Sequence, residues 1–90
     1  MLRYEVKLVQ FGTGKKKSVL VNEELDKITC RGDAMRAATR TNPGWACKQI
    51  LSLTEEMWNT LIYRAIFEDS NIELAERYNP EYEADEEEYT

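Results

Sequence analysis

The residues with the plainest chemical potential are the carboxylates of the last third of the chain. Glu73, Glu76, Glu81, Glu83, Asp85, Glu86, Glu87 and Glu88 follow one another closely, with Tyr78, Tyr82 and Tyr89 among them. Duplex DNA presents about one negative charge per 1.7 Å of its axis. A protein displaying carboxylates at comparable spacing can enter a cationic groove and be steered into it quickly. The tyrosines would add apolar contact where bases lie. Glu73, Glu76, Glu81, Tyr82, Glu83, Asp85, Glu86, Glu87 and Glu88 are therefore the candidate partner-binding residues.

Catalysis finds little to work with. The 90-residue chain has no histidine, so the commonest general base and metal ligand is missing. Ser18, Ser52 and Ser70 have no histidine to activate them, and neither cysteine sits in a nucleophile elbow. The carboxylates lie where no rigid frame is expected to fix a metal or a water. No catalytic, cofactor-binding or metal residue is assigned, and the expectation is a protein that is not an enzyme. Cys30 and Cys47 stand 17 residues apart, which fits no zinc pattern; they read as two small, half-buried, reduced thiols.

Charge is divided along the chain. Residues 1–67 hold eleven basic and seven acidic side chains, whereas residues 68–90 hold ten acids and Arg77 alone. The overall net charge of −5 conceals a mildly basic body joined to a strongly acidic end. The last ten residues carry six acids and no base, a block that repels itself and offers little apolar surface to offset its ordering entropy. Residues 1–78 are accordingly expected to form one α+β domain, and 79–90 an acidic tail, extended or frayed from Asn79-Pro80 onward.

The elements that must position these charges can be read from periodicity. Leu2, Tyr4, Val6 and Leu8 alternate with Arg3, Glu5 and Lys7, the pattern of a half-buried strand over 2–11. Gly12-Thr13-Gly14-Lys15 supplies a turn, and Ser18–Val21 the returning strand. Gly12-Thr13-Gly14-Lys15-Lys16-Lys17-Ser18 has too few residues for a phosphate-binding loop and is followed by a strand, so it reads as a hairpin whose lysines can still meet phosphates by Coulomb attraction. Asn22 caps a short turn over Glu23-Glu24-Leu25. Arg31-Gly32-Asp33 reads as a turn leading into a helix over 34–40 with Asp33 as N-cap, stopped by Asn42-Pro43-Gly44. A third strand spans Trp45–Leu53, with Trp45, Cys47, Leu51 and Leu53 expected on one face. Thr54 or Ser52 then caps a helix with Met57, Trp58, Leu61, Ile62, Ala65 and Ile66 as its apolar stripe. Ser70 and Glu73 make a capping-box pattern for a last short helix through Tyr78.

The expected architecture is thus an α+β two-layer sandwich in the order ββαβα. It has a three-stranded sheet, helices on one face and a short extra C-terminal helix. Arg3, Glu5, Lys7, Val9 and Lys48 are left on the uncovered face, and an open strand edge invites self-association. Trp45 and Trp58 are expected in the core. No apolar run is long enough to span a bilayer, and the N-terminus lacks a signal-peptide pattern, so the chain is expected in the cytoplasm, away from membranes.

In size, lack of histidine chemistry, plain α+β body and the acidic stretch Glu81 to Glu88, the chain resembles the small acidic phage-encoded proteins that disable host factors by mimicking DNA. The resemblance implies a non-enzymatic inhibitor or adaptor in the host cytoplasm. It would compete with DNA for a basic DNA-binding host protein, such as an HU-type nucleoid protein or a restriction or CRISPR effector. A homodimer would bring two acidic ends together. The alternative is a small nucleic-acid-binding module in which Arg3, Lys7, Lys15, Lys16, Lys17 and Lys48 meet phosphates and the acidic tail is autoinhibitory.

Overall fold

A computed structural model describes residues 1–75. β1 (Arg3–Gln10) and β2 (Lys16–Asn22) form the hairpin that the alternation predicts. Its turn closes with Gln10 N–H donating to the Lys15 carbonyl at 2.8 Å, and Gly12 and Gly14 take φ of +84° and +73°, a region a Cβ would strain. Asn22 then caps the single turn α1 (Glu23–Asp26). Its Oδ1 accepts from Leu25 N–H at 2.9 Å, while Asp26 Oδ2 accepts from Asn22 N–H at 2.9 Å, a reciprocal arrangement that satisfies two otherwise orphaned donors.

α2 (Arg31–Arg40) starts three residues earlier than its helix-forming run suggests, and its N-cap is Cys30, which is exposed rather than half-buried. Asp33 lies inside the first turn. Its carboxylate reaches back to accept from the Thr29 hydroxyl at 2.7 Å and the Thr29 N–H at 2.9 Å, tying the preceding loop to the helix. The Arg-Gly-Asp tripeptide is therefore the opening turn of a helix.

β3 (Trp45–Ser52) pairs antiparallel with β1, and α3 (Glu55–Phe67) follows with Thr54 as N-cap. The register slips at Lys48. Lys7 faces Gln49 but Leu8 faces Cys47, leaving Lys48 as a bulged extra residue. The slip exchanges faces midway along the strand, so Trp45 and Cys47 share a side with Ile50, while Leu51 and Leu53 fall on the other. This corrects the expected single face of Trp45, Cys47, Leu51 and Leu53: strict alternation holds only up to a bulge.

The larger correction concerns residues 70–75. Ile72–Leu74 forms a fourth strand, β4, parallel to β2, where the capping-box pattern suggests a helix. Ser18 N–H donates to the Asn71 carbonyl at 2.8 Å, and Ala75 N–H to the Leu20 carbonyl at 3.1 Å. Pairing with an open edge beside buried Leu20 outweighs a weak local preference for helix. The rest of the expected helix, through Tyr78, lies outside the described residues.

The sheet order is β3-β1-β2-β4, a four-stranded mixed sheet in place of the expected three strands. Its faces carry separate clusters. Tyr4, Val6, Leu8, Val19 and Val21 pack with Ile28 and with Ala34, Ala37 and Ala38 of α2. The alternate side chain Leu20 points to the opposite face and packs with Trp58 and Ile72, joined by Leu53, Leu61, Ile62, Ala65 and Leu74. The two longer helices therefore lie on opposite faces, not together on one. Each fully buried aliphatic side chain contributes roughly 1.5–3 kcal/mol. Met57 and Ile66, expected in the stripe of α3, are 52% and 64% exposed.

The outer edge of β3 is not bare. The Arg31 guanidinium donates to the Ile50 carbonyl, which points away from β1, and the bulge at Lys48 interrupts the row of free backbone groups. Both devices oppose strand addition.

Candidate functional site

A cleft of about 500 Å³ lies between the β1–β2–β3 face and α3. Lys7, Lys16 and Lys48 line it from three strands and Arg64 from the helix, together with Ser18, Gln49, Leu61 and Asn71. The sheet register explains the convergence. Lys7 stands opposite Ser18 on one side and Gln49 on the other, while Lys16 is two residues along β2, a diagonal neighbour at roughly 7–8 Å between β-carbons. Lys48 joins them because it is the bulged residue.

The acids of the cleft already have partners. Ser18 Oγ donates to Glu5 Oε2 at 2.7 Å. Asp69 accepts from Asn71 N–H at 2.8 Å and pairs with Arg64 at 3.7 Å, and Arg64 also reaches Glu68 at 3.8 Å. Lys7, Lys16 and Lys48 make no ion pair with any other described residue. Three lysines outside any ion pair therefore line the cleft, with the Glu5 carboxylate, whose charge the neutral Ser18 hydroxyl does not cancel, among them.

A second concavity adjoins it at the hairpin end, lined by Lys15, Lys16, Lys17, Trp45, Ser70, Asn71 and Glu73. Lys17 Nζ sits 4.4 Å from the centroid of the Trp45 ring and 3.3 Å from Glu73 Oε1. Trp45 is half-buried against the core and occupied by this cation, so it is no open stacking platform. Phe11, one residue beyond β1 at the same end, is 69% exposed.

These positions sort the sequence-derived candidates. Lys7, Lys16 and Lys48 come together as the basic reading expects, and Lys15 and Lys17 flank them. Arg3 does not join: at the far end of β1 it pairs with Glu55 at 3.8 Å. Arg64, Ser18, Gln49 and Asn71 were not expected in the site. The basic residue on the polar flank of an amphipathic helix was the available signal for Arg64, but nothing short of the topology says which sheet face that helix covers. Of the acidic candidates, Glu73 is engaged by Lys17, and Glu76, Glu81, Tyr82, Glu83, Asp85, Glu86, Glu87 and Glu88 lie outside the described residues, as does the tail expected over 79–90.

Beside α2 a separate hollow of about 710 Å³ is lined by Asp26, Lys27, Ile28, Asp33, Arg36 and Arg40 among others. There Arg36 pairs with Asp33, while Lys27 and Arg40 make no ion pair with any other described residue. Asp33 is held down to about 2, first by the Thr29 hydroxyl, then by the Thr29 N–H and Arg36. Among the described residues no three His, Cys, Asp or Glu side chains gather to hold a metal ion. No described helix is long and apolar enough to cross a membrane. Comparison of the chain with family models, with curated proteins and with solved structures returns no match.

Proposed function

We propose that the protein is a small non-enzymatic module that binds the phosphate backbone of a nucleic acid in the cleft between its sheet and α3. The observation that carries this reading is the convergence on one groove of Lys7, Lys16 and Lys48, none of them in an ion pair with a described residue, which outnumber the one carboxylate there, Glu5, that no base pairs. Polyanion binding needs cations along a track more than it needs a shaped pocket, and such binding is electrostatic and salt-sensitive. Phe11, exposed beside the lysine end, supplies a face on which an unpaired base can stack. The cytoplasm, where nucleic acid is at hand and thiols stay reduced, is the compartment that fits.

The test is fluorescence anisotropy of a labelled oligothymidine at about 50 mM salt. It is run on the full chain and on the full chain with the six carboxylates of 81–88 amidated, so that the acidic segment cannot compete. Binding that disappears in Lys7→Gln/Lys16→Gln/Lys48→Gln supports the proposal. No binding by either chain would end it.

A second reading is favoured by the ten acids against one base over residues 68–90. In it the acidic segment mimics DNA and docks on a basic DNA-binding host protein, as an inhibitor or adaptor. It predicts salt-sensitive binding to an HU-type protein in competition with DNA. If the chain with amidated 81–88 bound as tightly as the native chain, that reading would fall.

A further inference from the structure

We propose that the groove continues past the lysines into a site for an unpaired guanine base, so that the strand it selects is single and guanine-bearing. This rests on the proposed use of the cleft and names its preferred ligand. Toward the N-terminal end of α3 the cleft adjoins a hollow of about 510 Å³, within the size range of small-ligand pockets. Glu5 and Leu61 line both.

The register makes the two one groove. Glu5 stands opposite Leu51 and Lys7 opposite Gln49, successive rungs on the same sheet face about 7 Å apart. Along α3, Met57, Leu61 and Arg64 fall at i, i+4 and i+7, one flank of the helix. A nucleotide whose phosphate meets Lys7 therefore has its base beside Glu5 and Leu51.

The chemistry changes between the two halves. Leu51, Leu53, Met57 and Leu61 give the hollow aliphatic walls, and the Met57 thioether is exposed to meet the edge of an aromatic ring. No described basic side chain lines it; its charged groups are the carboxylates of Glu5 and Glu56. Neither is in an ion pair with a described residue. They repel phosphate and only accept hydrogen bonds. A carboxylate has about four acceptor positions, and on Glu5 the Ser18 hydroxyl takes one, at Oε2.

Such a site fits a flat ring with adjacent N–H donors. Guanine alone among the common bases offers them, N1–H beside the N2 amino group. Thymine has a single N3–H between two carbonyls, which face a carboxylate unfavourably. In adenine and cytosine the amino group adjoins an unprotonated ring nitrogen. This edge is free only in an unpaired base, which excludes duplexes.

The experiment is fluorescence anisotropy at about 50 mM salt, on the full chain native and with 81–88 amidated. The probes are short oligothymidines with a central guanine, hypoxanthine or thymine. A bidentate contact of this kind makes the guanine strand bind about tenfold tighter than the thymine strand. Hypoxanthine, which lacks the N2 amino group, should lose most of that advantage, and Glu5→Ala should bring all three strands to equal affinity. An advantage that hypoxanthine retains would assign it to purine stacking and overturn the carboxylate contact. Equal affinity for guanine and thymine strands that both bind would overturn the guanine site and leave the lysine cleft standing. If neither strand binds, the proposed function falls, and deoxyguanosine, which has no phosphate, decides the hollow alone. Amide shifts at Leu51, Leu53, Met57 and Thr60 that thymidine does not cause support the site, and their absence overturns it.

Discussion

The salt dependence of oligothymidine binding follows from the count of cations in the cleft. Lys7, Lys16 and Lys48 are uncommitted, whereas Arg64 is shared between Glu68 and Asp69, so about three phosphates are neutralised. For a single strand each contributes about −0.7 to the slope of log affinity against log salt, giving a slope near −2. A rise from about 50 to about 200 mM salt should then weaken binding roughly twentyfold. Replacing Lys16 by Gln should flatten the slope by roughly 0.7 and weaken binding to every sequence alike, because a lysine on a phosphate reads no base. The assay is anisotropy over a salt series, with the carboxylates of 81–88 amidated. Lys27→Gln serves as control, since Lys27 faces the hollow beside α2. A slope near zero, or a slope that responds to Lys27 and not to Lys16, would refute the reasoning.

Other outcomes follow from the same geometry. Phe11→Ala should weaken oligothymidine binding by about 1–3 kcal/mol while leaving duplex binding unchanged; anisotropy with both probes checks it, and an equal loss on both would remove the stacking role. Leu20→Ala should cost about 2–5 kcal/mol in urea unfolding, since Leu20 joins Trp58 and Ile72 across the α3 face; a loss below about 1 kcal/mol would contradict that packing. Arg31→Ala should uncover the Ile50 carbonyl at the β3 edge and promote concentration-dependent association in light scattering; an unchanged monodisperse profile would deny Arg31 its protective role. Asp33, held to about 2, stabilises the fold fully above its unfolded value near 3.8 and loses that contribution as pH falls toward 2. Asp33→Asn should therefore lower the melting temperature at neutral pH, and the two melting curves should converge near pH 2; a constant offset down to that pH would contradict the assignment.

What could be read in the sequence was what depends on local periodicity and turn chemistry. The β1–β2 hairpin, the Asn22 and Thr54 caps, and the burial of Trp58 all follow from residues within a few positions of one another. What could not be read depends on contacts distant in the chain. Ile72–Leu74 becomes a strand only because β2 offers an edge some fifty residues upstream. The bulge at Lys48 exchanges faces within a strand whose composition gives no sign of it. The placement of α3 opposite α2 brings together Leu20 of β2, Leu53, and Ile72 and Leu74 of β4 against Trp58, residues far apart in the chain. The same holds for the site. The lysines were visible as a group, but the exclusion of Arg3 and the arrival of Arg64 required the topology.

The most direct test of the central claim is amide chemical-shift mapping of the 81–88-neutralised full chain titrated with oligothymidine at low salt. The account predicts that the shifts concentrate on Lys7, Lys16, Ser18, Lys48 and Gln49, fade as salt rises, and spare Lys27, Arg36 and Arg40. Shifts centred on the hollow beside α2, or none at all, would contradict it.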